Sequence, residues 1–85
     1  MEPMTRTIVA LSKRERELVR VRLLEWFADT GHTHRYLAGR LKVSHGSVDN
    51  FCSDGSAGAT FLARLIQEIP SLVNGINVHV IGGGQ

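Results

Sequence analysis

Residues 44–50 read Ser-His-Gly-Ser-Val-Asp-Asn, a run in which only one residue is apolar. The residues that lack an apolar role are Ser44, His45, Gly46, Ser47, Asp49 and Asn50. Hydroxyl, imidazole and amide groups donate and accept hydrogen bonds, and an ionised carboxylate accepts them. A rigid edge of this composition is suited to recognising the polar groups of another molecule.

Two short helices must hold this polar edge outward. The apolar residues that would pack them together recur at helical spacing and are Leu37, Ala38, Leu41, Val48 and Phe51. Thr33 is a suitable N-cap for a helix that runs to about Leu41. Ser44 is suited to the same position in a helix that runs to about Cys52, with Val43 and Ser44 forming the turn. The polar edge then faces away from the apolar contact, where a DNA major groove could receive it.

Residues 34–53 resemble the helix-turn-helix of the Cro/repressor-like (lambda-repressor-like) DNA-binding domains. That family has a small residue, usually Ala, in the first helix, a turn residue, often Gly, four positions later and an aliphatic residue ten positions later. Here these are Ala38, Lys42 and Val48. Lys42 departs from the pattern, and a left-handed backbone would strain it by about 1–2 kcal/mol. The resemblance reaches about Ile69.

The resemblance implies a transcriptional regulator that binds an operator in double-stranded DNA as a homodimer, in the manner of phage or plasmid repressors. Its base-reading face falls on the six polar residues of 44–50. Asn50 would pair with adenine, and Asp49 would accept a hydrogen bond from the amino group of cytosine. Arg35, Arg40 and Lys42 would hold the phosphate backbone and supply affinity rather than specificity.

The remaining polar residues of that face have less specific expected roles. His45 would donate to a guanine acceptor or to a phosphate. Ser44 and Ser47 would contact phosphate, and Gly46 would allow a close approach. The amides at the start of this helix also favour a phosphate.

The fold class that we expect is mainly α, with four to five helices and a short N-terminal and/or C-terminal β-strand. The first helix would begin at the capping box Ser12–Glu15 and stop at Gly31. Its apolar residues form a wide face and are Leu18, Val19, Val21, Leu23, Leu24, Trp26, Phe27 and Ala28. A fourth helix would run from about Ala59 to Ile69 and end at Pro70.

Two segments are predicted as strands, residues 5–11 and residues 76–81. A lone strand cannot satisfy its own backbone groups. The second segment must therefore pair with the first, with its copy in a second subunit, or with both. We expect Ile76, Val78 and Val80 to contribute to a dimer, and residues 82–85 to form a tail.

Composition limits the protein to one small domain over residues 1–85, for which oligomerisation would add stability. The net charge is only +2, but basic residues concentrate between Lys13 and Arg22 and around the motif. The first cluster is either a solvated helix face or a phosphate contact. Cys52, the single cysteine, is expected to be buried and fits a cytoplasmic protein. No signal peptide or membrane span is predicted.

Other chemistries have little support in the sequence. His32 and His34, with His45 and His79, lack the ligand spacing of a zinc site. Cys52 has no orienting group or oxyanion loop, so we predict no enzyme, no cofactor and no small-molecule substrate. The alternative to a DNA-binding regulator is a protein-interaction module of the same fold, such as an antitoxin or anti-repressor, which would use the strand at 76–81.

Overall fold

Four α-helices make up most of residues 7–76 and 79–82, the part of the chain that the computed structural model describes. In order they are α1 (Lys13–Thr30), α2 (His34–Leu41), α3 (His45–Asp54) and α4 (Ala59–Glu68). A short 3-10 helix, Pro70–Val73, follows α4. The mainly helical class predicted from the sequence is confirmed. None of the described helices is long and apolar enough to cross a membrane.

The ends of α1 are set by local chemistry. The Ser12 hydroxyl accepts from the Glu15 N–H at 3.1 Å, and the Glu15 carboxylate accepts from the Ser12 N–H at 2.8 Å. This reciprocal pair is the predicted capping box. At the other end Gly31 adopts φ 77°, a left-handed value that favours glycine, and its N–H donates to the Phe27 carbonyl. Both predicted boundaries of α1 are confirmed.

One cluster of buried side chains draws on all four helices and the 3-10 helix. Its members are Val19, Leu23, Leu37, Ala38, Leu41, Val48, Phe51, Cys52, Phe61, Leu62, Leu65, Ile69 and Leu72. All the residues predicted to pack α2 against α3 belong to it. Burial of apolar area at about 25 cal/mol per Å² is therefore what holds the α2–α3 pair against α1 and α4.

The apolar face of α1 is narrower than the sequence predicts. Val19 and Leu23 are fully buried, whereas Leu18 is 42% exposed and Val21 and Leu24 are each 39% exposed. Ala28 on the same side is also exposed. The reason is that α1 packs against α3 and the 3-10 helix, which cover only one side of it. The wide apolar face predicted for α1 is therefore buried over only part of its width.

The segment after α4 also differs from the prediction. The helix ends at Glu68, and Ile69 leaves helical geometry with φ −130° and ψ 77° because Pro70 follows it. Pro70 then begins the 3-10 helix, which the sequence analysis missed. Leu72 within it is buried in the core. The turn continues to Ile76, whose N–H donates to the Val73 carbonyl at 2.9 Å.

The two strands are short and belong to one antiparallel pair. Strand β1 spans Thr7–Ala10 and β2 spans His79–Gly82, with Val9 opposite Val80. Strand β1 lies against α4. Within one chain, the second predicted strand thus pairs with the first.

The residues expected to form a dimer strand fall in different surroundings. Ile76 precedes β2 and is half-buried against the core, because the 3-10 helix and the Gly75 turn (φ 80°) occupy the segment before the strand. Val80 lies in β2. Val78 and the end of the predicted tail, residues 83–85, lie outside the described residues.

Candidate nucleic-acid interface

The turn between α2 and α3 begins at Lys42, one residue before the predicted turn residues Val43 and Ser44. Lys42 adopts φ 58° and ψ 46°, and among the described residues only Lys42 combines a side chain with positive φ. Its N–H donates to the Gly39 carbonyl at 3.3 Å, and the Val43 N–H donates to the Ala38 carbonyl at 3.0 Å. These bonds close α2 and reverse the chain, at the strain of about 1–2 kcal/mol expected of a left-handed lysine.

An arginine on α4 stabilises this turn by hydrogen bonds to its carbonyl groups. The Arg64 guanidinium donates to the Leu41 carbonyl at 3.3 Å and to the Lys42 carbonyl at 3.2 Å. A helix end leaves such carbonyls without intrahelical partners, and a positive side chain there also suits the helix dipole. Sequence reasoning missed this role, although a lone arginine among the apolar residues of α4 was a usable signal.

The packing residues of the motif lie where the resemblance requires them. Ala38 is 3% exposed and Val48 is fully buried, so the small residue of α2 lies in the core with the aliphatic residue of α3. Phe51 is fully buried, with its ring centroid 5.5 Å from that of Phe61 on α4. With one face of α3 fixed in this way, the other face must point outward.

The outer face of α3 carries the predicted reading residues. Ser44, His45, Asp49 and Asn50 are exposed, and Gly46 and Ser47 are half-buried. At Gly46 a Cβ atom would meet only the Ser44 hydroxyl, at an ordinary 3.9 Å. The fold of this chain therefore does not require glycine there.

The first turn of α3 is suited to an anion. The Ser44 hydroxyl accepts from the Ser47 N–H at 3.3 Å and lies 3.1 Å from the Ser47 hydroxyl, which confirms the predicted N-cap. The amides of His45 and Gly46 come first in the helix and have no intrahelical acceptor. The first turn contains no acidic residue to oppose an anion. Both serine hydroxyls already take part in the cap, which limits them as phosphate ligands.

Asp49 is held by a partner that the sequence analysis missed. The His34 Nδ1 atom, at the start of α2, lies 2.6 Å from the Asp49 Oδ1 atom. Both side chains remain accessible, at 40% and 50% exposure, so this contact ties the two helices together at the surface. The Asn50 side chain has no hydrogen-bond partner among residues 11–76. Its amide is therefore the more available of the two predicted base contacts.

The start of α4 borders the same surface. Ser47 and Asn50 line a shallow groove of about 240 Å³ together with Phe61 and the Ser56–Gly58 loop. Gly58 caps α4 without a side-chain hydrogen bond. The groove thus joins the polar face of α3 to the uncapped amides of a second helix, a contribution that spacing within 33–53 did not predict.

The predicted backbone-holding residues lie elsewhere around α4. Arg40 and Lys42 line a second groove, of about 330 Å³, with Arg64, Gln67 and Glu68. The first groove is lined by Gly58 and Phe61, at the start of α4, and the second by residues within 64–68, toward its end. The helix is about 15 Å long, so the two grooves lie toward its opposite ends. Arg35 is exposed on α2 and lines neither groove.

Arg40 is not a free cation. Its Nε atom donates to a Glu68 carboxylate oxygen at 2.8 Å, and this hydrogen bond raises the pKa of the Arg40 guanidinium. The side chains are 56% and 30% exposed, so the pair is open to solvent. A phosphate would have to compete with Glu68 for the guanidinium.

Two arginines of the first basic cluster connect α1 to other elements of the fold. Arg20 donates to the Cys52 carbonyl at 2.9 Å in the last turns of α3, and also pairs with Glu17 at 2.6 Å. Arg22 donates to the carbonyls of Leu72 at 3.0 Å and Asn74 at 2.7 Å. These contacts fit neither of the two expected uses of the cluster, because both guanidinium groups bind backbone carbonyls of other elements.

Comparison of this chain with known protein families, curated proteins and solved structures finds no match. The resemblance to the Cro/repressor-like domains therefore depends on the residues of the motif alone.

Proposed function

We propose that this protein binds double-stranded DNA through the outer face of α3 and regulates transcription as a homodimer. The observation that carries the proposal is the α2–α3 pair itself, a buried apolar contact that holds a small, polar, solvent-exposed helix face outward. A major groove is wide enough for an α-helix and presents donors and acceptors that such a face can read. A repressor of the phage or plasmid type is the form that the resemblance suggests.

Asn50 is the principal base contact in this proposal. Its amide has no described partner, and an amide can make two hydrogen bonds with adenine. Asp49 would contact cytosine only through the oxygen that His34 leaves available. The amides that begin α3 would hold a phosphate beside the groove, and Arg35, Lys42 and Arg40 would add charge contacts.

The proposal requires a dimer of a particular geometry. Two α3 helices related by a two-fold axis would enter successive major grooves, and half-site centres would then be about 34–36 Å apart. Selection of bound duplexes from a random pool should therefore enrich a sequence with two inverted half-sites at this spacing.

The direct experiment is a titration of fluorescently labelled random duplex DNA with the whole protein, followed by anisotropy. We expect non-specific binding with a dissociation constant of about 10⁻⁴–10⁻⁶ M at physiological salt, which tightens steeply as salt is lowered. Absence of binding at low salt would contradict the proposal and would favour the protein-interaction module instead.

The Arg40–Glu68 pair provides matched variants for this titration. Arg40→Ala should weaken binding to all sequences alike and reduce the slope of log K against log salt by about one. Glu68→Gln removes the competing carboxylate and should tighten binding to all sequences. A loss confined to one DNA sequence in Arg40→Ala would contradict the assignment of Arg40 to the backbone.

A further inference from the structure

Helix α1 carries an exposed apolar stripe that the proposed DNA contact does not use. Leu18, Val21 and Leu24 are 42%, 39% and 39% exposed, although Val19 and Leu23 on the same helix are fully buried. The stripe residues are three positions apart, and Ala28 follows one turn later, so they share one helix face. That face is opposite to the one that meets the core.

Charged residues lie on the same helix face as the stripe. Arg14 lies at its N-terminal end and Glu25 toward its C-terminal end, and by helical periodicity both fall on the side of Val21 toward Leu18. Glu17 falls on the side toward Leu24, and its carboxylate is already paired with Arg20 at 2.6 Å. The free charges at the two ends are therefore of opposite sign.

We infer that a second copy of this chain covers the stripe, with the two α1 helices antiparallel around a two-fold axis near Val21. In that arrangement Val21 meets Val21 of the other copy, and Leu18 meets Leu24. Arg14 then lies within about one helical turn, 5.4 Å, of Glu25 along the paired helices and on the same side of them. Glu17 is level with Glu25 of the other copy, but it lies on the opposite side and its charge is offset by Arg20. A parallel pair would instead place Arg14 beside Arg14 and Glu25 beside Glu25, which is unfavourable.

The size of the stripe sets the strength of this contact. An 18-residue helix is about 27 Å long, so one helix pair buries less than the roughly 1,600 Å² of a standard interface. A reversible dimer follows, with an average mass that rises with concentration toward twice the 9.4 kDa of one chain. The residues expected to make a C-terminal strand dimer are partly engaged within the chain, since Ile76 packs against the core.

Sedimentation of the whole protein without DNA, from about 1 µM to about 1 mM, tests the dimer. The wild-type chain should pass from monomer to dimer, and Val21→Glu should remain monomeric because two carboxylates would meet at the axis. Gln67→Glu adds the same charge at an exposed position of α4 and should dimerise like wild type. Circular dichroism of each variant reports whether it is folded.

Charge reversal tests the orientation. Arg14→Glu and Glu25→Arg should each weaken the dimer at least tenfold, and the double variant should recover most of that loss. A monomeric wild type at every concentration, or a dimer that Val21→Glu leaves unchanged, overturns the inference. Equal weakening by both single changes with no recovery in the double variant overturns the antiparallel arrangement.

Cross-linking gives a second readout that does not depend on affinity. In a Cys52→Ala background, Val21→Cys should form a disulfide between copies on mild oxidation, whereas Leu24→Cys should not. Cross-linking by both, as a parallel pair would give, or by neither, contradicts the inference. These experiments contain no DNA, so the dimer and the proposed DNA binding can fail separately.

Discussion

Helices α1 and α3 pack against each other but present different outer surfaces. The outer face of α1 has Leu18, Val21 and Leu24, whose exposed apolar area favours contact with another protein surface. The outer face of α3 is a run of small polar residues, and its first turn contains no acidic residue. Since both helices are fixed by one core, the two faces are suited to different partners, which is why we propose separate contacts for them.

The largest effect should come from removing an anchor that both surfaces need. Phe51→Ala leaves a cavity beneath α3 and should lower the free energy of unfolding by about 3–5 kcal/mol. Small domains have only about 5–15 kcal/mol in total. Urea denaturation measures the loss, and a change below about 1 kcal/mol would mean that α3 is not held by the core as described.

Asn50→Ala should weaken DNA binding by α3 without affecting the dimer proposed for α1. We expect a loss of about 1–3 kcal/mol in affinity for the preferred DNA sequence, with base preference relaxed at one position. The free energy of unfolding and the mass of the dimer should stay at wild-type values, because Asn50 is exposed and has no described partner. Competition titrations with single-base variants of the selected duplex measure this. Equal weakening on every duplex would contradict base reading by Asn50.

A pair of glycines tests how closely α3 approaches its ligand. Gly46→Ala and Gly39→Ala are the same change on α3 and α2, and in neither case does the chain itself obstruct the added methyl group. Each should raise the free energy of unfolding by about 0.5–1 kcal/mol, as expected for Gly replaced by Ala in a helix. Only Gly46→Ala should weaken DNA binding, and we expect a loss of tenfold or more.

The control in this pair is Gly39→Ala, which should bind DNA like wild type. Thermal unfolding and anisotropy titrations on the same samples provide both quantities. If the two variants bind DNA equally well, the closest part of the contact does not include Gly46.

The smallest effect concerns Cys52, which lies on the buried side of α3. Burial raises the pKa of its thiol, so the thiol is neutral at neutral pH and should react slowly with a disulfide reagent. Reaction should be fast in urea, where the pKa returns to its ordinary value. Rapid labelling of the folded protein at pH 7 would show that α3 opens readily and that neither surface is rigid.

Much of this arrangement follows from local sequence, and the rest depends on contacts distant along the chain. The capping box at Ser12 and the buried positions of α2 and α3 were predicted because each depends on neighbours within a few residues. The left-handed backbone of Lys42 was considered only through the family pattern, which has a turn residue at that position. The exposed stripe on α1 was missed because periodicity identifies an apolar face but not how much of it other elements cover.

The same limit applies to the candidate interface. The sequence predicts which face of α3 points outward, but it does not predict that His34 holds Asp49 or that Glu68 holds Arg40. Those partners are 15 and 28 residues away along the chain, and only the packing of α2 against α3 and α4 brings them together. Arg20 was similarly assigned from charge alone and Arg64 was given no role, whereas both guanidinium groups donate to carbonyls near helix ends.

Mapping of backbone amide shifts by NMR, on addition of a selected duplex, tests the central claim most directly. We predict that the largest changes fall on residues 44–50 and on the start of α4 near Gly58, while Leu18, Val21 and Leu24 change little. Changes concentrated on the outer face of α1, with residues 44–50 unaffected, would contradict the assignment of α3 to DNA.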